Sequence, residues 1–440
     1  MRRLSDRVIF LTRKMAQPHM FCGMSELDYN LPKAIQNEID HTYDIELTPH
    51  NSIIQGNNLI FQIESGTDFT DLGNTFLSVE LKMLKSDNAR VASTDNCCPV
   101  NNIFHSIWSQ VSVKLKDTVI SHPSPNYAYR AYLENLLNYS QSSKETWMTQ
   151  LGWYFDEANK FDENTNEALA KRRSLVTDNK ILKLKGKLST DIGNQPLLIP
   201  SHTDITITLT PARGEFAIQN FDDTTSFNIH IISAKLHVKK VKLFPSKIAE
   251  FEKNIAKAPI RLPINQVRVD SVSIPSGLSS YHHNSLFSGQ LPNYLIVGLI
   301  TNKTYAGNAA KNPFNFVNAN LNHIQLKVNE ILVPTYPISP DFTSGNVVEA
   351  YESLFHVLGR KYDDWSNGMT LSDLINGSTL IGFVVNNDSH CRHDENNLHG
   401  LIDITLKFKR PLEETMSMIV YSSTQGTILI DRFRNVLLDI

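Results

Sequence analysis

The residues whose types could bind a metal ion are gathered in one short stretch. His390, Cys391, His393 and His399 lie close together in the chain, and imidazole nitrogens and thiolate sulfurs are ligands that zinc prefers. Their spacing matches no common zinc module, and the flanking residues 386–388 are polar, as in a loop between two strands. A metal centre and a solvated hairpin loop are therefore both possible interpretations, and the spacing favours the loop. Nothing else in the sequence indicates a cofactor.

Paired acids and paired histidines are the next candidates for chemistry. Acidic pairs at 222–223 and 363–364 could supply a general acid and base. Side chains that are neighbours in sequence do not both point into one cleft, so we expect both pairs to be solvated loops. His282 and His283 lie in a Ser-rich stretch that we expect to form a turn.

The tryptophan side chains could either stack on bound sugars or be buried in a hydrophobic core. Trp147, Trp153 and Trp365 could stack on sugars in a sandwich of the lectin type, whereas Trp108 lies in an apolar run and is predicted to be buried. The chain has no phosphate-binding loop, dinucleotide fingerprint, nucleophile elbow or zinc-protease motif. We therefore expect a protein that is not an enzyme, with no catalytic residues and no small-molecule substrate.

Composition limits the class of protein further. With 440 residues, 41% of them hydrophobic, the chain is long enough for two globular domains. A net charge of -3 gives no general footprint for nucleic acid. Four cysteines do not make a disulfide framework, and the sequence shows neither a signal peptide nor an apolar run long enough for a membrane span. We expect a protein that stays in the cytosol or nucleus.

The candidate site residues must be positioned by elements that are mainly strands, because apolar and polar residues alternate along much of the chain. The predicted strands are 59–63, 76–81, 111–115, 204–210, 227–243, 267–274, 324–328, 379–385, 402–408 and 416–421. Four helices are predicted as connectors, at 127–137, 164–172, 246–256 and 347–358. Many short strands without regular alternation with helices favour antiparallel sandwiches.

An internal repeat divides the chain. A strand, a proline-rich turn and a helix at 113–137 recur in the same order at 326–355, and the strand at 204–209 recurs at 403–408. The repeat predicts an N-terminal arm at 1–40, a first sandwich at 41–245, a linker helix at 246–258 and a second sandwich at 259–440.

Several stretches, in order, resemble the double jelly-roll major capsid protein (hexon-like) family of Maverick/Polinton elements and adintoviruses. Asn101-Asn102-Ile103-Phe104-His105-Ser106 is one of them. The others are 25–28, 127–134, 136–139, 274–277, 289–292, 312–316, 340–342, 430–432 and 434–436. The resemblance covers about residues 25–440, but neither the first 20 or so residues nor the His/Cys stretch near 390.

The resemblance implies two tandem eight-stranded jelly rolls with a few short connector helices. It further implies a homotrimer that forms a pseudo-hexameric capsomer of an icosahedral shell, with the long connections 140–179 and 301–320 as surface towers and clasps. The implied partners are other copies of the chain, a vertex (penton) protein and minor capsid proteins. The implied location is the virion, after synthesis in the host cytoplasm and assembly there or in the nucleus.

Three alternatives remain open at this point. The basic residues of the arm, Arg2, Arg3, Arg7, Arg13 and Lys14, could contact a genome or form a solvated tail. The chain could be a paired β-sandwich carbohydrate-binding protein or hydrolase. It could also be a domesticated, capsid-derived host protein that no longer makes virions.

Overall fold

Antiparallel strands dominate the chain, with 43% strand and 19% helix. A computed structural model describes residues 38–64, 66–222, 225–361, 363–385 and 399–439. The predicted alternation is realised most clearly at 204–210, where Ile205, Ile207 and Leu209 are buried and the residues between them are only half-buried. A mainly β fold is confirmed.

The described residues of the first half of the chain form three sheets. Its strands are β1 (Ile39–Leu47), β2 (Leu59–Ile63), β3 (Phe69–Lys85), β4 (Cys97–Pro99), β5 (Trp108–Leu115), β6 (Thr118–Val119), β7 (Leu182–Gly186), β8 (Ile205–Pro211), β9 (Ile218–Asn220) and β10 (Phe227–Leu243). Two four-stranded sheets have the orders β1-β10-β3-β7 and β2-β8-β5-β6, and β4 pairs with β9. The long strands β3 and β10 pair antiparallel, with Leu77 opposite Leu236, both buried.

Two sheets are formed by the part of the second half that the structure describes. Its strands are β11 (Ile260–Ile274), β12 (Ser280–Gln290), β13 (Tyr294–Thr301), β14 (Leu321–Val328), β15 (Ile331–Ile338), β16 (Leu380–Val384), β17 (His399–Phe408), β18 (Met416–Ile430) and β19 (Val436–Asp439). The sheet orders are β11-β18-β13-β16, with β19 added to β18, and β12-β17-β14-β15.

Both halves have the same topology. When β4, β9 and β19 are set aside and the remaining strands of each half are numbered from one to eight, both halves read 1-8-3-6 in one sheet and 2-7-4-5 in the other. Two four-stranded antiparallel sheets connected in this way form a jelly roll. The prediction of two tandem eight-stranded jelly rolls is confirmed, and we call them the first and second jelly rolls.

Short helices connect the strands. Those in the described residues are α1 (Ile103–Ser106), α2 (Tyr127–Asn138), α3 (Gln141–Glu145), α4 (Glu167–Ser174), α5 (Gly214–Ala217), α6 (Pro245–Ile255), α7 (Asn302–Tyr305), α8 (Val348–Val357) and α9 (Leu371–Ile375). Helix α9 begins at a capping box, in which Thr370 and Asp373 each bond the other's backbone N–H. None of the helices among the described residues has the length and apolarity required to cross a membrane.

One cluster of buried apolar side chains includes residues of both jelly rolls. In the first, Phe61, Leu77 and Ile207 fill the space between the two sheets, and in the second Ile324 and Ile404 do the same. Because the cluster is continuous, the contact between the jelly rolls is itself part of the core.

Candidate functional site

The candidate metal ligands are not brought together by any described contact. His390, Cys391 and His393 lie outside the described residues, and His399 is the exposed first residue of β17. Within the described part of the chain, no three His, Cys, Asp or Glu side chains are placed to hold a metal ion. The metal centre therefore stays a prediction.

The histidine pair is placed differently from the expected turn. His282 and His283 lie on strand β12, opposite Thr405 and Ile404 of β17, and the His282 ring contacts the Thr405 hydroxyl at 2.9 Å. The interpretation as a turn is wrong because the stretch is an exposed strand, whose polar residues face solvent. Its one irregularity is a break in register after His283, where Ser285 adopts a positive φ of 55°.

The tryptophans divide between core and surface. Trp108 is fully buried, as predicted, and Trp153 is also buried. Trp147 is 43% exposed and lines a cavity of about 380 Å³ together with Glu134. Glu134 is the only carboxylate among the described residues lining this cavity, and it is paired with Arg130 at 2.9 Å. Glycoside hydrolysis by the usual route needs two carboxylates, so this cavity does not supply that chemistry.

The main concentration of buried polar and aromatic side chains lies between the two jelly rolls, and we call it the seam. At its centre the Tyr132 ring of helix α2 stacks on Phe314, with ring centroids 4.1 Å apart and planes 1° from parallel. Trp153 also stacks on Tyr132, with ring centroids 5.2 Å apart, and Tyr129 meets Phe314 edge to face. Aromatic pairs of this kind contribute beyond the burial of their area.

The seam is filled by the two long connections that the resemblance assigned to surface towers. Connection 140–179 supplies Trp153, and connection 301–320 supplies Phe314 and Phe316, all of which are buried. The structure therefore corrects that expectation for these residues. Apolar side chains in the connections provide the reason, because burying them between the jelly rolls removes them from water.

A buried ion pair connects the seam to both halves. The Asp156 carboxylate accepts hydrogen bonds from Arg172 at 2.8 Å, Asn166 at 3.1 Å and, from the second half, Asn312 at 3.2 Å. Both charged side chains are 0% exposed. Arg172 also donates to the backbone oxygens of Pro99 and Tyr154. Every nitrogen of the guanidinium is thus paired, as a buried charge requires.

A second ion pair holds helix α2 against strand β11. Arg130 donates to Asp191 at 2.7 Å and to Glu134 at 2.9 Å. The same Asp191 oxygen accepts the backbone N–H of Val267 at 3.0 Å. One carboxylate of the first half therefore bonds directly to the sheet of the second half.

A buried lysine makes a further link across the seam. Lys144 is 4% exposed, and its ammonium donates to the backbone oxygens of Leu136 and, in the second half, of Asn367 at 2.6 Å. Burial lowers the pKa of Lys144 to about 7. The side chain is therefore a hydrogen-bond donor whose charge changes near neutral pH.

Burial also sets the ionisation of His105 and two cysteines. His105 is buried against the Tyr127 hydroxyl at 2.9 Å, and burial lowers the pKa of His105 to about 3. Cys97 and Cys98 are buried, free thiols, and burial raises their pKa values to about 12 and 11. These thiols stay protonated and unreactive.

The chain after β18, up to the first residue of β19, reaches back to the first jelly roll. Thr118 of β6 donates to the backbone oxygen of Val436 at 2.8 Å, and Lys116 donates to that of Phe433 at 3.3 Å. Arg434, 6% exposed, donates to the Ser201 backbone oxygen at 2.8 Å. The edge of the first jelly roll is thus contacted by the second.

Taken together, these contacts form a buried, hydrogen-bonded joint between the two jelly rolls. Sequence reasoning missed Asp156, Arg172 and Asn312, because they lie far apart in the chain and belong to no short motif. The only available signal was the aromatic content of stretches 312–316 and 151–155, which is unusual for surface loops.

Comparisons with known proteins agree with the fold. No family model matches the sequence. The chain is 26% identical over 351 residues, 78% of this chain and 81% of the relative, to a Caenorhabditis elegans protein described as uncharacterized protein F54H12.2.

Solved structures of viral proteins are similar to the whole chain. A chain of the Sputnik virophage structure matches with a TM-score of 0.64 and 14% identity, covering 97% of this chain and 94% of that one. The Faustovirus major capsid protein gives 0.56 and 8%, covering 99% and 97%. The mavirus major capsid protein gives 0.53 and 12%, covering 97% of both chains. At such identities the likeness establishes the fold, a double jelly roll.

Proposed function

We propose that this chain is a major capsid protein, which assembles into a shell and turns over no substrate. The observation that carries the proposal is the pair of jelly rolls with one topology, fixed to each other by the seam. Structural neighbours over nearly the full length bear the name major capsid protein and support it. The finer type, a Maverick/Polinton or adintovirus capsid protein, rests on the sequence resemblance.

The proposed building block is a homotrimer with pseudo-hexameric shape. Two similar jelly rolls per chain give a ring of three chains six similar sides, and such rings can tile an icosahedral shell through repeated lateral contacts. The Asp156 and Arg130 networks support this role, because a rigid joint fixes the angle between neighbouring sides.

The remaining assignments follow from the same proposal. The proposed division is an arm at 1–40, a first jelly roll at 41–245, a linker helix at 246–258 and a second jelly roll at 259–440. The proposed partners are other copies, a penton protein and minor capsid proteins, with the genome as a further contact of the arm. The proposed location is the virion, after synthesis in the host cytoplasm and assembly there or in the nucleus.

The similarity to a nematode protein favours a second candidate function. A domesticated, capsid-derived host protein would keep the fold and the joint without packaging a genome. Shell formation alone does not separate the two candidates. Nuclease-protected nucleic acid inside the shells would favour the viral role, whereas particles without it, or trimers that never form shells, would favour the domesticated one.

The proposal is tested with the full chain in solution. Light scattering should give three times the chain mass of 49.8 kDa, or 149.4 kDa, and negative-stain electron microscopy should show six-sided particles or shells. The subunit interface should exceed about 2,000 Å², as obligate assemblies require. A monomer that binds glycans through the Trp147 cavity would contradict the proposal and support a carbohydrate-binding protein.

A further inference from the structure

The edge strand of the second jelly roll carries unusually exposed apolar side chains. Strand β15 is terminal in its sheet, and it exposes Ile331 by 69%, Leu332 by 47% and Tyr336 by 82%. Single exposed apolar residues are common on soluble proteins, but three on one short edge strand are a liability for unwanted association. We call Ile331, Leu332 and Tyr336 the β15 edge surface.

Two prolines limit how a partner could bind to the β15 edge surface. Pro334 and Pro337 lie in β15 and have no N–H to donate, so another strand cannot extend the sheet by a regular hydrogen-bond ladder. A partner must therefore contact the side chains. Pro337 also restricts the backbone of Tyr336 to extended conformations, so less backbone freedom is lost on binding. Tyrosine in such a position is a typical anchor of protein interfaces.

The first jelly roll shows what covers the equivalent edge. Strand β6 occupies the same position as β15, at the end of the order 2-7-4-5. It is contacted by the chain that follows β18, through Thr118 to Val436 and Lys116 to Phe433. Within one chain, then, the edge of the first jelly roll faces the end of the last long strand of the second.

The same type of contact, between the edge strand of one jelly roll and the chain after the last long strand of the other, can form between two copies of the chain. The strand of the first jelly roll equivalent to β18 is β10, and the chain after β10 carries Phe244, which is 38% exposed. We infer that the β15 edge surface binds the first jelly roll of a second copy of this chain, at the end of β10 around Phe244. This inference rests on the proposed trimer and names its contact surface. Three such contacts alternate with three seams and close a ring.

Two variants and one control test the inference on the full chain. Leu332→Lys with Tyr336→Lys places two charges on the β15 edge surface, and Phe244→Lys places one on the opposing face. Each should shift the mass from trimer to monomer while the far-UV circular dichroism spectrum stays that of the wild-type chain, which shows that the variants are folded. Ile54→Lys, at a side chain that is 58% exposed in the loop between β1 and β2, should leave the trimer intact. Leu332→Ala with Tyr336→Ala, which adds no charge, should weaken association at least about tenfold.

The outcomes separate the inference from the proposed function. A wild-type trimer with monomeric edge variants supports both. If the Leu332/Tyr336 variants stay trimeric, the assigned surface is wrong and the capsid proposal stands. If only the Phe244 variant stays trimeric, the assigned partner face is wrong. A monomeric wild-type chain overturns both the proposed function and the inference.

Discussion

Replacing Asp156 by asparagine should weaken the contact between the two jelly rolls and lower the free energy of unfolding, although the side-chain volume changes very little. The carboxylate neutralises Arg172, and its second oxygen accepts from Asn312 of the second half. In the asparagine variant an amide nitrogen faces another donor, and the guanidinium keeps its charge at a site with 0% exposure. Removing one partner of a buried pair costs about 3–5 kcal/mol. We expect a loss of that size in the free energy of unfolding of Asp156→Asn.

Urea unfolding followed by fluorescence measures this loss. Arg172→Met should cost about as much, because it strands the carboxylate and leaves the oxygens of Pro99 and Tyr154 without a donor. The double variant should cost much less than the sum of the two single losses, since it removes both charges and leaves none of them unpaired. Glu80→Gln, in an exposed pair with Lys183, serves as the control and should cost less than about 1 kcal/mol. A loss below about 1 kcal/mol for Asp156→Asn, or additive losses, would refute the account of the seam.

Three further expectations follow from buried groups. Because burial lowers the pKa of His105 to about 3, only the unfolded chain takes up this proton between pH 6.5 and 3. The stability should then fall by about 1.4 kcal/mol per pH unit on acidification, and this contribution should vanish in His105→Gln. Lys144, with its pKa lowered to about 7, should make the protein more stable as pH rises from 7 to 10.5, and Lys144→Met should abolish that rise in pH-dependent urea titrations. Gly377→Ala should lower the thermal midpoint by several degrees more than Gly56→Ala. Both have a positive φ, but an added Cβ at Gly377 would lie 2.3 Å from the Phe161 ring, whereas at Gly56 it meets nothing. Equal shifts for the two glycines would contradict this.

Much of the fold was predictable from local patterns. The strands at 59–63 and 227–243 were predicted with the bounds that the structure has, and the helix at 127–137 ends one residue later. Alternation of buried and exposed residues produced these predictions. Strand β13 was missed because six of its residues are buried in succession, which removes the alternation. Strand β12 was missed because it is rich in serine and histidine and mostly exposed.

The candidate site was far less predictable. The repeat indicated two sandwiches, and the resemblance implied that they are jelly rolls, but neither contained information on how they join. That joint depends on contacts such as Asp156 to Asn312 and Tyr132 to Phe314, between residues that are distant in sequence. A single sequence does not reveal such pairs, because each partner alone is consistent with a loop. The His/Cys stretch attracted notice by composition, and three of its four members lie outside the described residues.

The aromatic stack of the seam has a consequence for synthesis of the chain. Tyr132 is made long before Phe314, and at about 5–20 residues per second the ribosome needs roughly ten to forty seconds to bridge them. During that interval the nascent first jelly roll lacks the cover for helix α2 and presents its aromatic face to solvent. The chain is then a ready client for chaperones, and it becomes competent to associate only when its own second half has arrived. Until the second half is made, the exposed aromatic faces of two unfinished copies could contact each other and aggregate.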